Sequence, residues 1–370
     1  MRILIAADTF YPSVDGASFF TQRLAKKLLE RGHEVLVIAP STSFKSGYVD
    51  ADGIPMFGVS SLPTLFHKLY RFTPPILLSK RIRPVIEKFD PQVAHIQGHF
   101  FIESTVAKLS REMRIPILAT NHFMPENLLH YLHAPVAVEN IIKKIGWAQF
   151  RAVFRRLPVV TTPTKTAAKV LKDIGLTQDI LPLSCGIDLA KFNPRNDGGY
   201  LRLKYNLPNK PLVLCVGRLA PEKHIDQILK ACALALKKTS FHLMVAGNGM
   251  EKEKLIKLAQ ELGISDNVSF LGFVPDADLP FLYPLASLFI MAGTVELQSL
   301  VTMEAMASGV PILAANALAL PELVHSGENG FLFDPQSVDN LANGIQKIIT
   351  NPSISSDGKK LSKTSSTATP

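Results

Sequence analysis

Ser287-Leu-Phe-Ile-Met291-Ala-Gly-Thr-Val-Glu296-Leu-Gln-Ser-Leu-Val-Thr-Met-Glu304-Ala-Met-Ala-Ser-Gly-Val-Pro311 decides how the chain is read. Ser287–Met291 is a short unbroken apolar run, as expected of a strand buried on both faces. Ala292-Gly293-Thr294 ends it and a helical pattern follows. Glu296 is therefore placed in a strand-to-helix loop and Glu304 in the second turn of the helix. Two carboxylates framing an open helix N-terminus suit a ligand with hydroxyls at its ends and negative charge between them. Exposed backbone N–H groups and the helix dipole would hold that charge. A nucleotide-sugar has this layout, although solvated surface glutamates give the same spacing.

The strand–loop–helix pattern recurs outward in both directions. In the first half, Arg2–Asp8, Glu34–Ala39, Gln92–Gln97, Ile115–Thr120 and Leu157–Thr162 read as strands, with Ser18–Arg31 among the helices between them. In the second, Leu212–Gly217, Phe241–Ala246, Val268–Leu271 and Ser287–Met291 alternate with helices starting at Ile225 and Glu251. Apolar strands separated by helices imply parallel sheets covered on both faces, with ligands at the carboxyl ends of the strands. Between the halves, Cys185-Gly-Ile-Asp188 through Asn193-Pro194 to Gly199 relaxes into turn residues. The expected organisation is an N-terminal domain over 1–185 and a C-terminal domain over 186–350. A disordered tail over 351–370, with nine Ser or Thr, is expected to follow.

Bulk composition narrows the function. The 370 residues are 47% hydrophobic and 19% charged, enough for two substantial cores. No apolar run approaches the roughly 20 residues of a spanning helix. Three scattered cysteines, Cys185, Cys215 and Cys232, make neither a CxxC pair nor a disulfide framework, which suits a reducing cytosol. The net charge of +9 is uneven. Residues 1–195 carry 25 Lys and Arg against 15 Asp and Glu, whereas residues 196–370 carry 15 against 16. An anionic surface, nucleic acid or membrane, would therefore meet the first half, unless the charge serves only solubility.

Several stretches invite specific roles. Thr9-Phe-Tyr-Pro-Ser-Val-Asp15-Gly16 links the first strand to a helix without a GxGxxG, which disfavours a nicotinamide oxidoreductase. Gly16 either lets a phosphate approach the backbone or simply turns the chain. Phe66 to Arg83 mixes apolar residues with Lys68, Arg71, Lys80, Arg81 and Arg83 and reads as a loop, on a membrane surface or merely solvated. Thr120 to His133 holds three histidines and a glutamate but no HExxH spacing, so no metal is expected. His122, at a strand's carboxyl end, is the better substrate contact. Lys143 to Arg156 forms a basic amphipathic helix, with Trp147, Phe150, Val153 and Phe154 on one face and Lys144, Arg151 and Arg155 on another. With Lys143, it is a second membrane candidate, although a sheet-covering helix needs the same apolar face. Gly217-Arg218 and Lys223 follow a strand and could neutralise a diphosphate near Glu296 and Glu304.

The ordered set resembles the retaining glycosyltransferases of family 4, with the GT-B fold, over roughly residues 1–350. Glu296 and Glu304 match its E-x7-E motif, and Glu-Ala-Met-Ala-Ser-Gly-Val-Pro311 follows as in the family. Gly217-Arg218 with Lys223, Cys185-Gly-Ile-Asp188, Phe10-Tyr-Pro with Gly16, and Asn329-Gly-Phe331 agree. The resemblance implies an acceptor-binding N-terminal domain and a C-terminal domain that binds the sugar nucleotide. It implies that Arg218 and Lys223 hold the diphosphate, Glu304 the ribose, and Glu296 the sugar hydroxyls. Backbone N–H groups of Ser299, Leu300 and Val301, with Gly16, would complete the phosphate site, and His122 would line the sugar pocket. Neither a metal nor a cofactor is implied. Gln298-Ser299 replaces the common aromatic-Gly pair and looks like the diacylglycerol glucosyltransferase branch, close to the phosphatidylinositol mannosyltransferases. A Ser/Thr-rich tail stands where the family usually has a helix crossing back onto the N-terminal domain.

The expectation is a peripheral enzyme on the inner face of the cytoplasmic membrane, moving glucose from UDP-glucose onto a lipid such as diacylglycerol. The alternative is a GDP-mannose-dependent enzyme acting on a phosphoinositide or soluble glycan. A basic scaffold or nucleic-acid-binding protein has only net charge in its favour. A sugar-nucleotide epimerase fits the architecture but not the Glu and Arg/Lys set.

Overall fold

A computed structural model describes residues 1–13, 15–64, 71–124 and 136–351. The chain divides into two compact units, Met1–Leu183 and Ser184–Pro370.

The first unit is an eight-stranded sheet in the order β10-β9-β8-β7-β1-β2-β4-β3. The strands are β1 (Arg2–Ala6), β2 (Glu34–Pro40), β3 (Gly47–Asp50), β4 (Pro55–Val59), β7 (Val93–Ile96), β8 (Ile117–Thr120), β9 (Val159–Thr162) and β10 (Ile180–Pro182). Every pairing is parallel except that of the edge strand β3 with β4. Two short strands, β5 (Leu62–Pro63) and β6 (Arg71–Phe72), pair separately. The alternation within β1 shows why both faces must be covered. Ile3 and Ile5 point into one core with Val35, Val37 and Ala25, whereas Leu4 and Ala6 point into another with Ile82, Ile102 and Phe150. Helix α1 (Gly16–Glu30) covers the first face. Helices α2 (Leu78–Phe89), α3 (Phe101–Glu112) and α4 (Val136–Phe154) supply the second core, and α5 (Lys165–Asp173) contributes Ala168 and Leu171 to it.

The second unit is wholly parallel, in the order β13-β12-β11-β14-β15-β16. Its strands are β11 (Leu212–Val216), β12 (His242–Ala246), β13 (Val268–Gly272), β14 (Leu288–Met291), β15 (Ile312–Ala315) and β16 (Gly330–Phe333). Its helices are α6 (Gly199–Lys204), α7 (Ile225–Ala235), α8 (Lys252–Glu261), α9 (Leu279–Leu282), α10 (Leu300–Ala307), α11 (Leu320–Leu323) and α12 (Val338–Ile349). β11, β12 and β14 are buried at every residue, so unbroken apolar runs were the right signal for them. The direction of winding reverses between β11 and β14, which are hydrogen-bonded neighbours. Such a reversal opens a crevice at the strands' carboxyl ends.

Two expectations need correction. The stretch read as a loop from Phe66 to Arg83 ends in helix: Lys80, Arg81 and Arg83 lie on α2, which starts just after the Pro74-Pro75 break. Trp147 is not a membrane contact. It is buried at 9% exposure beside Phe150, whose ring centroid is 5.5 Å away, so the face it shares with Phe154 covers the sheet. Lys68, the histidine pair His130 and His133, and the Ser/Thr tail beyond 351 lie outside the described residues.

Candidate active site

In the second unit, the loop after β11 carries Arg218 and Lys223, and the loop after β14 carries Glu296. Two glycines let the Arg218 loop lie on the one after β12. A Cβ at Gly247 (φ +140°) would stand 1.8 Å from the Gly217 carbonyl oxygen, and one at Gly249 would stand 2.1 Å from that of Leu219. Leu219 N–H donates to Asn248 O at 3.0 Å, and Glu251 N–H to Leu219 O at 3.1 Å, which locks the two loops together.

On this base Arg218 donates through Nη2 to Glu222 Oε1 at 2.8 Å, and Glu222 is only 3% exposed. Pro221–Lys223 forms one 3-10 turn that carries both Glu222 and Lys223. Lys223 Nζ meets Glu296 Oε1 at 2.5 Å, with the two side chains 24% and 12% exposed. Gly293 makes room for this carboxylate, because a Cβ there would come within 3.1 Å of Glu296 Oε1. One ammonium thus sits against the acid expected to bind sugar hydroxyls.

Helix α10 begins at Leu300 behind Ser299. The Ser299 hydroxyl is engaged by Thr302, whose Oγ1 donates to it at 2.9 Å, and Ser299 makes no side-chain cap hydrogen bond to the first turn. The N–H groups of Leu300 and Val301 belong to that first turn, where intrahelical partners do not exist. Glu304 falls in the second turn as expected, and Tyr283 OH donates to its Oε2 at 2.8 Å. Gln298 is tied to the start of the unit: its Oε1 accepts from Cys185 N–H at 2.8 Å and its Nε2 donates to Ser184 Oγ at 3.0 Å. Sequence reasoning missed Glu222 and Tyr283. The i, i+4 spacing from Arg218 to Glu222 was the one available hint of the former.

In the first unit, Gly16 opens α1, whose N-terminus is capped by Asp15 accepting from Ser18 N–H at 2.9 Å. His122 follows β8. Its Nε2 donates to Gln97 Oε1 at 3.1 Å, and the Phe20 ring centroid is 4.7 Å away. Burial, followed by the neighbouring His95, lowers the His122 pKa to about 3, so the ring is neutral. A second polar centre, unforeseen from sequence, joins the ends of β1 and β7. Asp8 accepts from Ile102 N–H at 3.1 Å and Glu103 N–H at 3.3 Å, while Glu103 accepts from Asp8 N–H at 3.1 Å and Phe100 N–H at 2.9 Å. Burial raises both carboxyls, Asp8 to about 6 and Glu103 well above its usual range, where the Asp8 charge adds to the effect.

The remaining basic residues separate. Arg71 is engaged with Ser61, donating to Oγ at 2.6 Å and to O at 3.0 Å. Arg83 pairs with Glu112, and Arg81 donates to Ser60 Oγ at 3.0 Å, while Lys80 is exposed. On α4, Lys143 and Lys144 with Arg151 border a groove that Trp147 floors and Asp173 and Ile174 close. Arg155 is exposed beyond it. The outward side of α4 also carries Val138, Ile141 and Ile145, 42%, 57% and 61% exposed, which together with Ala148 and Ala152 repeat at helical spacing. Among the described residues no helix is long and apolar enough to cross a membrane, and no group of acids, histidines and cysteines is placed to hold a metal.

The family profile described as Glycosyltransferase Family 4 matches residues 14–191, and that of Glycosyl transferases group 1 matches residues 201–367. The chain is 27% identical to the alpha-monoglucosyldiacylglycerol synthase of Streptococcus pneumoniae, over 90% of this chain and 75% of that protein. It is 26% identical to a GDP-mannose-dependent alpha-(1-6)-phosphatidylinositol monomannoside mannosyltransferase of Mycobacterium tuberculosis, over 94% and 89%. Among solved structures, Anabaena HepE in complex with UDP and glucose superposes with a TM-score of 0.74 at 22% identity, covering 98% of this chain and 95% of that one. The fold is GT-B.

Proposed function

The chain belongs to the family 4 glycosyltransferases, and we propose that it moves glucose from UDP-glucose, with retention, onto a membrane lipid such as diacylglycerol. The observation that carries this reading is the gathering of Arg218, Lys223, Glu296 and Glu304 around β11 and β14, where the winding of the sheet reverses. In the proposed arrangement the diphosphate lies over the open first turn of α10, with the N–H groups of Ser299, Leu300 and Val301 beneath it. Arg218 and Lys223 take the charge that grows on the leaving phosphate oxygen as the glycosidic bond breaks. No metal is required for that step. Glu296 accepts from the sugar hydroxyls, and its contact with Lys223 puts sugar and phosphate recognition side by side, as a sugar–phosphate linkage demands. Glu304 accepts from the ribose. Gly16 would approach the phosphates and the neutral His122 the sugar. Attack from the face the phosphate leaves retains configuration, so no separate nucleophile is needed.

A lipid is named in the descriptions of both relatives above, which supports the acceptor class. The membrane reading now rests on the outward face of α4, where Val138, Ile141 and Ile145 run beside Lys144, Arg151 and Arg155. Apolar side chains flanked by cations suit the inner, anionic face of a bilayer. Ile141→Asp with Ile145→Asp is expected to release the protein from anionic vesicles in a sedimentation assay; undiminished binding would discard this face.

The reaction itself is tested with radiolabelled UDP-glucose and vesicles containing diacylglycerol, extracting the glycolipid. Arg218→Ala or Glu296→Ala is expected to lower transfer by about a hundredfold or more with the fold intact. Full activity in either variant would remove the site assignment. The second reading, mannose from GDP-mannose onto a phosphoinositide, draws on the mycobacterial relative. It would replace the first if only that donor and phosphatidylinositol vesicles gave product.

A further inference from the structure

Tyr283 opens a short 3-10 turn, Tyr283–Leu285, just ahead of β14. Its ring is fully buried, with the ring centroids of Phe192 and Phe289 each 5.9 Å away. Phenylalanine would fill this apolar slot at less cost, because a phenol hydroxyl withdrawn from water must recover a hydrogen bond. The hydroxyl reaches out of the core to one acceptor among the described residues, Glu304 Oε2, at 2.8 Å. Glu304 is half-buried, so the bond joins the hydrophobic core of the unit to a carboxylate on the surface of the crevice.

We propose that Tyr283 is a positioning residue whose buried hydroxyl fixes the Glu304 carboxylate to receive the ribose hydroxyls of the nucleotide donor. The inference rests on the ribose role proposed for Glu304. A glutamate on a helix surface samples several rotamers, and each must be given up when a ligand binds. A bond from a side chain that cannot move removes that freedom in advance, so more of the ribose interaction appears as affinity. Burial and the adjacent Glu304 charge both keep the phenol protonated, so it remains a donor across the working pH range.

The test is calorimetric titration of UDP and GDP alongside their 2′,3′-dideoxy forms. Tyr283→Phe, which removes one oxygen and keeps the bulk, is expected to weaken the ribose-containing nucleotide about tenfold, the scale of one hydrogen bond to a charged group. Binding of the dideoxy form should be unchanged, and in a Glu304→Ala background the same substitution should have no further effect. Equal weakening of both nucleotides, or of neither, overturns the positioning role while leaving the ribose role of Glu304 standing. If the wild-type protein binds the two forms alike, the ribose role itself fails and this inference with it. Should the Phe variant not fold, 4-aminophenylalanine at 283 keeps both bulk and a donor. It is expected to retain ribose discrimination, and losing it would count against the proposal.

Discussion

Glu296→Gln should bind nucleoside diphosphate more tightly than the wild-type protein while losing transfer. In the unliganded site the Lys223 ammonium is already neutralised by Glu296, 2.5 Å away. A diphosphate must share that ammonium and tolerate the carboxylate beside it. Glutamine keeps the shape and can still accept from Lys223, but it removes the negative charge. Two unit charges about 4 Å apart interact by about 4 kcal/mol at an effective dielectric of about 20. Solvent reaches both side chains, at 24% and 12% exposure. Discounting for that screening and for desolvation leaves about 1–2 kcal/mol. The expected gain is therefore about five- to thirtyfold in affinity for UDP or GDP. For the intact nucleotide-sugar the gain is offset by the weaker hydrogen bonds a carboxamide offers to the sugar hydroxyls. Titration calorimetry with both ligands reads the difference directly. A Gln variant that binds the diphosphate no better, with its unfolding midpoint unchanged, would refute the view that Glu296 restrains Lys223.

Two further outcomes follow from packing and titration. Gly247→Ala is expected to destabilise the second unit by about 3 kcal/mol or more, because its Cβ would overlap the Gly217 carbonyl and its φ is positive; a thermal midpoint within a degree of wild type would contradict the loop packing. His95, His99 and His122 are held neutral by burial, at about 4, 4 and 3. Their folded values lie below the unfolded value of about 6.5, so the stability they contribute is present above that pH and is lost as pH falls through their folded values. The raised carboxyls of Asp8 and Glu103 run the opposite way: their contribution is full below the unfolded value of about 4 and is lost as pH rises through the folded ones, about 6 for Asp8 and well above the usual range for Glu103. With these three imidazoles and His242, whose pKa burial also lowers, against two carboxyls, urea midpoints are expected to fall between pH 6.5 and 4, and His99→Leu should lessen the fall. Midpoints that do not depend on pH, or no effect of His99→Leu, would count against this balance.

Unbroken apolar runs located the central strands because those strands are buried on both faces, and their register then placed Arg218 and Glu296 in neighbouring loops. The edge was harder to read. β3 has no buried residue and β4 starts at Pro55, so neither shows the run that marks a central strand. Helix α4 was recognised, but its orientation was not. Trp147, Phe150 and Phe154 form the stronger apolar face, and that face was claimed by the sheet, leaving the weaker ladder of Val138, Ile141 and Ile145 outward. Amphipathic pattern identifies two faces without saying which one the fold will cover. Glu222 and Tyr283 were illegible for another reason: each acts through a side chain already singled out, and a buried tyrosine before a strand reads as core.

The N-termini of α1, α3 and α10 differ in how they would meet an anion. At α1 the first-turn N–H groups face Asp15, and at α3 they face Asp8 and Glu103. A negatively charged ligand drawn to either end would meet a carboxylate already in possession. At α10 the N-cap Ser299 makes no side-chain cap bond, and Arg218 and Lys223 are carried by the loop after the neighbouring strand β11. The α1 and α3 ends, for all the first unit's surplus of lysine and arginine, are thus poor ground for phosphate. For the nucleotide donor proposed above, the α10 end and the neighbouring loop cations would count for more in the nearly neutral second unit than net charge.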